Sequence, residues 1–256
     1  MKVYRSLVVR LFSAILLPLA LAACTPAAGL APTRLPDPTA TAAQAAAAST
    51  PAAPLRMRVS VEQQANGTSI VHDLDNAYEF TLDQEWMAVP VSEQDVSRVA
   101  QASPALDAEF LRLAQKLYAS KMDAYRLVGI NTDSKLAKAE SPTLVLVTAI
   151  PDRVSASMPM PALAQMIQDT VFSGAKASEM QRDVRNSASG VSIAVVEGPY
   201  DYYSTQEVTL KTRSKVIGFQ VSGRVVLIQF ITPVEFGSAV LPGTDQIIDS
   251  IQRIKP

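Results

Sequence analysis

From Thr25 to Pro54 the chain reads TPAAGLAPTRLPDPTATAAQAAAASTPAAP, almost wholly alanine, proline and threonine, with only Arg34 and Asp37 charged. Such a segment carries too little bulky apolar surface to offset the entropy lost on ordering its backbone. It reads as a tether, so any fold has to be built from residues 55–256. Its reach is roughly 30 Å as a flexible coil and up to about 90 Å if its prolines hold it in polyproline II. The run AAQAAAAS contains good helix formers but is too short to keep a helix in water by itself. The full chain of 256 residues is 48% hydrophobic, which leaves ample material for a core beyond the tether. One cysteine permits no internal disulfide, so that core has to hold the fold.

Ahead of the tether, residues 1–10 (MKVYRSLVVR) are basic, and residues 11–23 (LFSAILLPLALAA) are apolar, interrupted by Pro18 and ending in small residues. Basic, apolar, small is the order of a secretory signal. The apolar run is shorter than the about 20 residues needed to cross a bilayer. The only cysteine, Cys24, follows at once. Leu21-Ala22-Ala23-Cys24 resembles the bacterial lipobox, in which a leucine, two small residues and a cysteine mark processing by the lipoprotein pathway. The resemblance implies that residues 1–23 are cut off, that Cys24 takes a diacylglycerol on its sulfur, and that its new amino group is open to acylation. It also implies an extracytoplasmic protein, lipid-anchored to a bacterial membrane, either on the outer face of the cell membrane or on an outer membrane. One acyl chain anchors only marginally, whereas two, at about 0.8 kcal/mol per buried methylene, hold stably.

In the remaining segment, alternation predicts strands. Leu55, Met57, Val59 and Val61 fall on one side of LRMRVSV and Arg56, Arg58 and Ser60 on the other. Asn66-Gly67 predicts a hairpin turn into a second strand through Ile70, which also accounts for the match of Asn66-Gly67-Thr68 to a glycosylation acceptor. Tyr78, Phe80 and Leu82 alternate before a polar turn and Trp86. A helix is expected next, capped by Ser103 with Pro104 in its first turn, and Leu106, Phe110, Leu113 and Leu117 on its inner face. Asp107 and Glu109 near its start and Lys116 and Lys121 near its end suit the helix dipole. YRLVGIN and TLVLVTAI read as strands joined by a charged connection with Lys135, Lys138 and Glu140. A second helix, PALAQMIQDTVFSG, sets Leu163, Met166, Ile167, Thr170 and Val171 on one face and stops at Gly174. GVSIAVVEG, QEVTLKTRSKVIGFQVSG and RVVLIQFITP read as strands, with Ser222-Gly223 as a hairpin turn between the last two. A short terminal helix carries Ile247, Ile248, Ile251 and Ile254. The expectation is an α+β domain over 55–256: a mostly antiparallel sheet of about seven to nine strands, covered by two longer helices and a short C-terminal helix.

YEFTLDQEW, VIGFQVSGRVVLIQFITP and QIIDSIQRI, in that order across residues 76–254, resemble the PsbP/Mog1-like α/β/α sandwich. Members open with an aromatic strand leading to a proline and tryptophan, and end with a hairpin and a helix carrying an Ile-x-x-Ser-Ile or Ser-Phe pattern. Here Asp83-Gln84-Glu85 precede Trp86 where a proline is usual. Members serve as photosystem subunits, nuclear-transport cofactors, secretion adaptors and bacterial lipoproteins. The resemblance therefore implies an interaction module with no particular partner.

Few residues are available for chemistry. Without Lys2, Arg5 and Arg10 of the first segment, the formal charge of −1 becomes about −4, which leaves no basic footprint for nucleic acid. One histidine, His72, and a cysteine committed to lipid make a zinc site improbable. Asp73, Asp75, Asn76 and Glu79 in HDLDNAYE could touch calcium, but Ala77 and then Tyr78 stand where the loop needs a ligand and a glycine, so a solvated turn is expected. Ser192 in GVSIA comes near the nucleophile elbow, yet Val191, Ile193 and Val195 continue a strand through it. No phosphate-cradling loop is present. His72 reads as a surface residue between Val71 and Asp73, without a visible partner for general-base work. No catalytic, cofactor or metal residue is assigned, and the chain reads as a non-enzyme.

EGPYDYYS is the candidate interaction surface: Tyr200, Tyr202 and Tyr203 crowd in or beside a turn after Gly198-Pro199, and tyrosine offers apolar area with a hydroxyl. The rival reading has alternate tyrosines packing on the sheet and the third capping an edge. Two functions follow. The first is a membrane-anchored, non-catalytic module for an envelope protein. The second is a carrier or sensor of an apolar small molecule or lipid, held between sheet and helix.

Overall fold

A computed structural model describes residues 58–254, apart from 103–106, 121–123, 137–138, 140 and 153. The expected signal (residues 1–23), Cys24, the expected tether and residues 55–57 lie outside the described residues, as do Ser103, Pro104, Leu106, Lys121, Lys138 and Glu140.

Alternation builds the first sheet. β1 (Val59–Gln63), β2 (Ser69–Asp73) and β3 (Tyr78–Leu82) form an antiparallel meander. Its inner face carries Val59, Val71, Tyr78, Phe80 and Leu82, all buried. The Asn66-Gly67 turn lies where expected, with Gly67 at φ 87°, a conformation glycine adopts without a Cβ penalty. A two-residue strand, β11 (Gln252–Arg253), completes this sheet by pairing with β3, in the order β1-β2-β3-β11.

β4 (Trp86–Pro90), β5 (Tyr125–Asn131), β6 (Leu144–Ile150), β7 (Gln181–Asn186), β8 (Ser192–Tyr203), β9 (Thr209–Val221) and β10 (Arg224–Pro233) form a seven-stranded antiparallel sheet, ordered β4-β5-β6-β10-β9-β8-β7. Ser222 and Gly223 both have positive φ (51° and 71°), matching the right-handed twist of the β9–β10 hairpin. The α+β class and the antiparallel order are as expected. Among the described residues the strands number eleven rather than seven to nine, and they divide over two sheets. Strands as short as β11, and as polar as β7, have no apolar period of their own to announce them.

The large sheet is buried on both faces. One face, with Trp86, Leu127, Val147, Ile193, Ile217, Phe219, Val226, Ile228 and Phe230, packs against the small sheet and α4 (Thr244–Ser250) through Ile247 and Ile248. The other is covered by α1 (Glu93–Ala102), α2 (Ala108–Ala119) and α3 (Met160–Val171). There Phe110, Leu113 and Leu117 of α2 meet Val128, Ile130 and Ile231, and Leu163 and Ile167 of α3 meet Ala194, Val196 and Val216. The layers thus run small sheet, large sheet, helices; a second sheet takes much of the face that an α/β/α sandwich gives to helices.

Helix ends differ from expectation. Asp107, not Ser103, caps α2: its Oδ1 accepts from the backbone N–H of Glu109 at 2.7 Å and of Phe110 at 3.1 Å. α1 is additional to the expected helices, although Ser92 caps it: Ser92 Oγ accepts from the Asp95 amide and donates to the Asp95 carboxylate. On α3, Leu163 and Ile167 are fully buried, whereas Thr170 is exposed. α4 stops at Ser250, so Ile251 and Ile254 are off the helix; Ile251 is extended and buried, and β11 follows. Among the described residues no helix is long and apolar enough to cross a membrane.

Candidate functional site

The turn HDLDNAYE joins β2 to β3 and faces β5. Asp73, the last residue of β2, is fully buried, and its two carboxylate oxygens accept from Arg126 Nε (2.8 Å) and Nη2 (2.9 Å) in a bidentate pair. Arg126 Nη2 also donates to Asp75 at 2.6 Å, and the Asn76 side-chain amide donates to Asp73 at 2.7 Å. The expected solvated turn is therefore a buried ion pair, because β5 brings an arginine under it. Burial alone would raise the Asp75 carboxyl, but hydrogen bonds from Arg126 and Arg58 hold it below its usual range. Burial, and then the charge of Asp73, push the Tyr78 phenol well up. Among the described residues no cluster of His, Asp and Glu is arranged to hold a metal ion.

His72, on the opposite face of β2, is not a plain surface residue. Its Nδ1 lies 2.7 Å from Glu79 Oε2 on β3, and its Nε2 lies 3.6 Å from Glu62 on β1. Both ring nitrogens thus face carboxylates, with the Nδ1 contact at hydrogen-bond distance.

The tyrosines do not crowd a turn; they end the long strand β8. Tyr202 is buried, and its hydroxyl donates to Glu109 Oε1 on α2 at 3.0 Å. Glu109 also accepts from the Thr205 amide at 2.6 Å, from the Thr205 hydroxyl, and from Arg112 at 3.3 Å. Burial would raise this carboxyl, yet the Thr205, Tyr202 and Arg112 donors hold it low. Tyr200 is half-buried with its ring edge-on to Phe172, centroids 6.3 Å apart. Only Tyr203 is open, at 58% exposure. The candidate surface Tyr200-Tyr202-Tyr203 is thus corrected: strand alternation sends Tyr202 inward to lock α2 onto the β8–β9 hairpin, and Tyr203 alone is free for contact.

Lys215 on β9 is buried too, with Nζ donating to the Leu241 carbonyl (3.1 Å) and to Asp245 (2.6 Å). Burial would raise the Asp245 carboxyl, but Lys215 and Arg185 hold it down.

An opening lies at the rim of the sheets, a cleft of about 820 Å³. Met158 and Met160 at the start of α3, Gly190 and Val191 before β8, Gln220 on β9 and Arg253 on β11 line it. Gln220 Nε2 donates to the carbonyls of Ser155 (2.6 Å) and Met158 (2.8 Å), fixing the approach to α3. By contrast, α3 packs closely on the sheet at Gly218, where an added Cβ would lie 2.5 Å from Ile167 Cδ1. Ser192, the near match to a nucleophile elbow, is exposed on the β8 strand and bonded to Asn186 Oδ1 at 3.0 Å.

Fold and site together define a two-sheet α+β protein with an open rim cleft and with Asp73, Glu109 and Lys215 bonded inside the fold. No family model matches the chain, and no curated protein matches it either. The solution structure of cyanobacterial PsbP (CyanoP) from Synechocystis sp. PCC 6803 is similar over 74% of this chain and 94% of that chain, at 12% identity and a TM-score of 0.39.

Proposed function

We propose that this chain is an extracytoplasmic lipoprotein, held to a bacterial membrane through Cys24, whose α+β domain acts by binding an envelope protein rather than by catalysis. One observation carries the non-catalytic part: each buried charged group described above is already bonded within the fold. Asp73 is held by Arg126, Glu109 by Thr205, Tyr202 and Arg112, and Lys215 by Asp245 and a carbonyl. Groups spent in this way position elements and are not poised for proton transfer or attack. The rim cleft is lined by methionine, proline, glycine, valine, serine, including Ser192, glutamine and one arginine, a lining that suits recognition. At Gly218 the close approach of Ile167 fills the helix–sheet contact, so the apolar carrier role draws no support there.

The anchor rests on Leu21-Ala22-Ala23-Cys24 behind an apolar run and ahead of an Ala/Pro/Thr segment. Cys24→Ser is expected to release the protein from the membrane fraction or leave its precursor unprocessed; normal processing with membrane retention refutes the anchor. Chemical cross-linking in native membranes followed by mass spectrometry tests the binding role. Recurrent capture of one other envelope protein is expected, and a chain found without any other protein counts against it.

A further inference from the structure

β7 closes one end of the seven-stranded sheet, and among the described residues nothing pairs with its outer edge. Its sequence, Gln181-Arg182-Asp183-Val184-Arg185-Asn186, carries charges of both signs. Natural edges are commonly blunted by charge that repels a second strand. Here the charges are self-complementary, and we propose that this edge pairs antiparallel with the β7 of a second copy of the chain, about a two-fold axis through Val184.

The backbone sets which groups are on offer. The Val184 amide donates to the Asp183 carboxylate at 2.8 Å, so it points away from β8. In an antiparallel strand the N–H and C=O of one residue point to the same side, and the side alternates along the chain. Arg182, Val184 and Asn186 therefore present their backbone groups outward, and Gln181, Asp183 and Arg185 present theirs to β8. A two-fold at Val184 sets Arg182 opposite Asn186 and Val184 opposite itself, and these positions exchange their outward backbone bonds once the Asp183 carboxylate releases the Val184 amide and turns to the Arg185 of the other copy. Asp183 then faces Arg185 twice, at non-hydrogen-bonded positions where cross-strand side chains come closest.

Charge also rejects the neighbouring registers. An axis at Asp183 opposes two aspartates, and an axis at Arg185 opposes two arginines; like charges directly opposite are destabilising. Two further features favour occupancy. Arg185 Nε is buried without an acceptor, 3.9 Å from Asp183 of its own strand, while Nη2 of the same side chain holds Asp245 at 2.6 Å. Val184 is 43% exposed on an otherwise polar strand. The pairing does not depend on the lipid anchor.

A single strand pair makes a small and weak interface, so the test is covalent trapping by oxidation of the full chain, with Cys24 alone in the wild type as baseline. In Val184→Cys the two copies of residue 184 are opposed at about 5.5 Å between Cα atoms, within disulfide reach. In Arg182→Cys the twin positions are offset by four residues, about 13 Å along the strand, beyond it. Val184→Cys is expected to give roughly tenfold more disulfide dimer than Arg182→Cys. Adding Asp183→Arg to Val184→Cys is expected to cut the dimer several-fold, and adding Asp183→Glu to preserve it. A Val184→Cys yield at the wild-type baseline, equal yields at 184 and 182, or a yield unmoved by Asp183→Arg would each overturn the proposal.

Discussion

Replacing Arg126 by methionine isolates the Asp73 pair from everything else that holds the small sheet to the large one. Asp73 is fully buried, and Arg126 supplies two of its hydrogen bonds, at 2.8 and 2.9 Å; the side chain and backbone of Asn76 supply the rest. Arg126→Met keeps much of the apolar stem but strands a carboxylate out of water, which costs about 3–5 kcal/mol. Against a total stability of about 5–15 kcal/mol that is a large fraction, and in a domain of this size it lowers the melting temperature by about 6–20 °C. The control is Asp73→Asn with Arg126→Met. Both charges are then gone, and the amide oxygen introduced at position 73 still accepts from Asn76. The pair variant is expected within about 2 kcal/mol of wild type, because a buried ion pair roughly breaks even against neutral groups of similar shape. Urea unfolding followed by far-ultraviolet circular dichroism, for wild type, both single variants and the pair, measures the coupling. A single Arg126→Met variant within about 1 kcal/mol of wild type, or a double variant that costs the sum of the singles, would refute the reasoning.

Three other outcomes are expected. Ile167→Ala, which empties a fully buried site on α3 against Gly218, is expected to cost about 2–5 kcal/mol by the same urea assay. Gly129→Ala puts a Cβ 2.7 Å from Val145 Cγ1 and 3.0 Å from the Met87 carbonyl oxygen; overpacking between β4 and β6 is expected to cost about 1–3 kcal/mol, and an unchanged midpoint would contradict it. Glu109, Asp75 and Asp245 all have carboxyls held below their usual range, so their contribution is present above the ordinary carboxylate pKa and lost as pH falls through the depressed values. Thermal melts from pH 6 downward are therefore expected to show falling stability in acid, and Glu109→Gln to flatten part of that fall.

Much of the framework is legible locally. β5, β6, β9 and β10 show as apolar runs, β2 and β3 as alternation, and the Ser222-Gly223 turn as a residue pair that tolerates positive φ. What is not legible is whatever a distant partner decides. Asp73 and Arg126 stand 53 positions apart, and neither carries a local sign that it will be buried. Tyr202 and Glu109 stand 93 apart, so a tyrosine-rich stretch looks like a contact surface until α2 is laid over it. β7 is a strand because β8 pairs with it; its own side chains are nearly all exposed and read as loop. At Ile251 the isoleucine period continues while the helix does not, because Gln252 and Arg253 pair with Glu79 and Tyr78. The serine cap at Ser92 is readable in the sequence, and it marks the start of α1 directly.

The pairing of β11 with β3 has a consequence for how the domain comes into being. Strands made among its first residues wait for a partner roughly 170 positions later, so the small sheet stays open along β3 while everything between is being synthesised. Until residue 253 has emerged, Phe80 and Leu82 can associate with whatever apolar surface is nearby. A chain delivered unfolded through a membrane would meet that hazard on the far side, where removing Gln252 and Arg253 should show as slower acquisition of protease resistance, ahead of any loss of final stability.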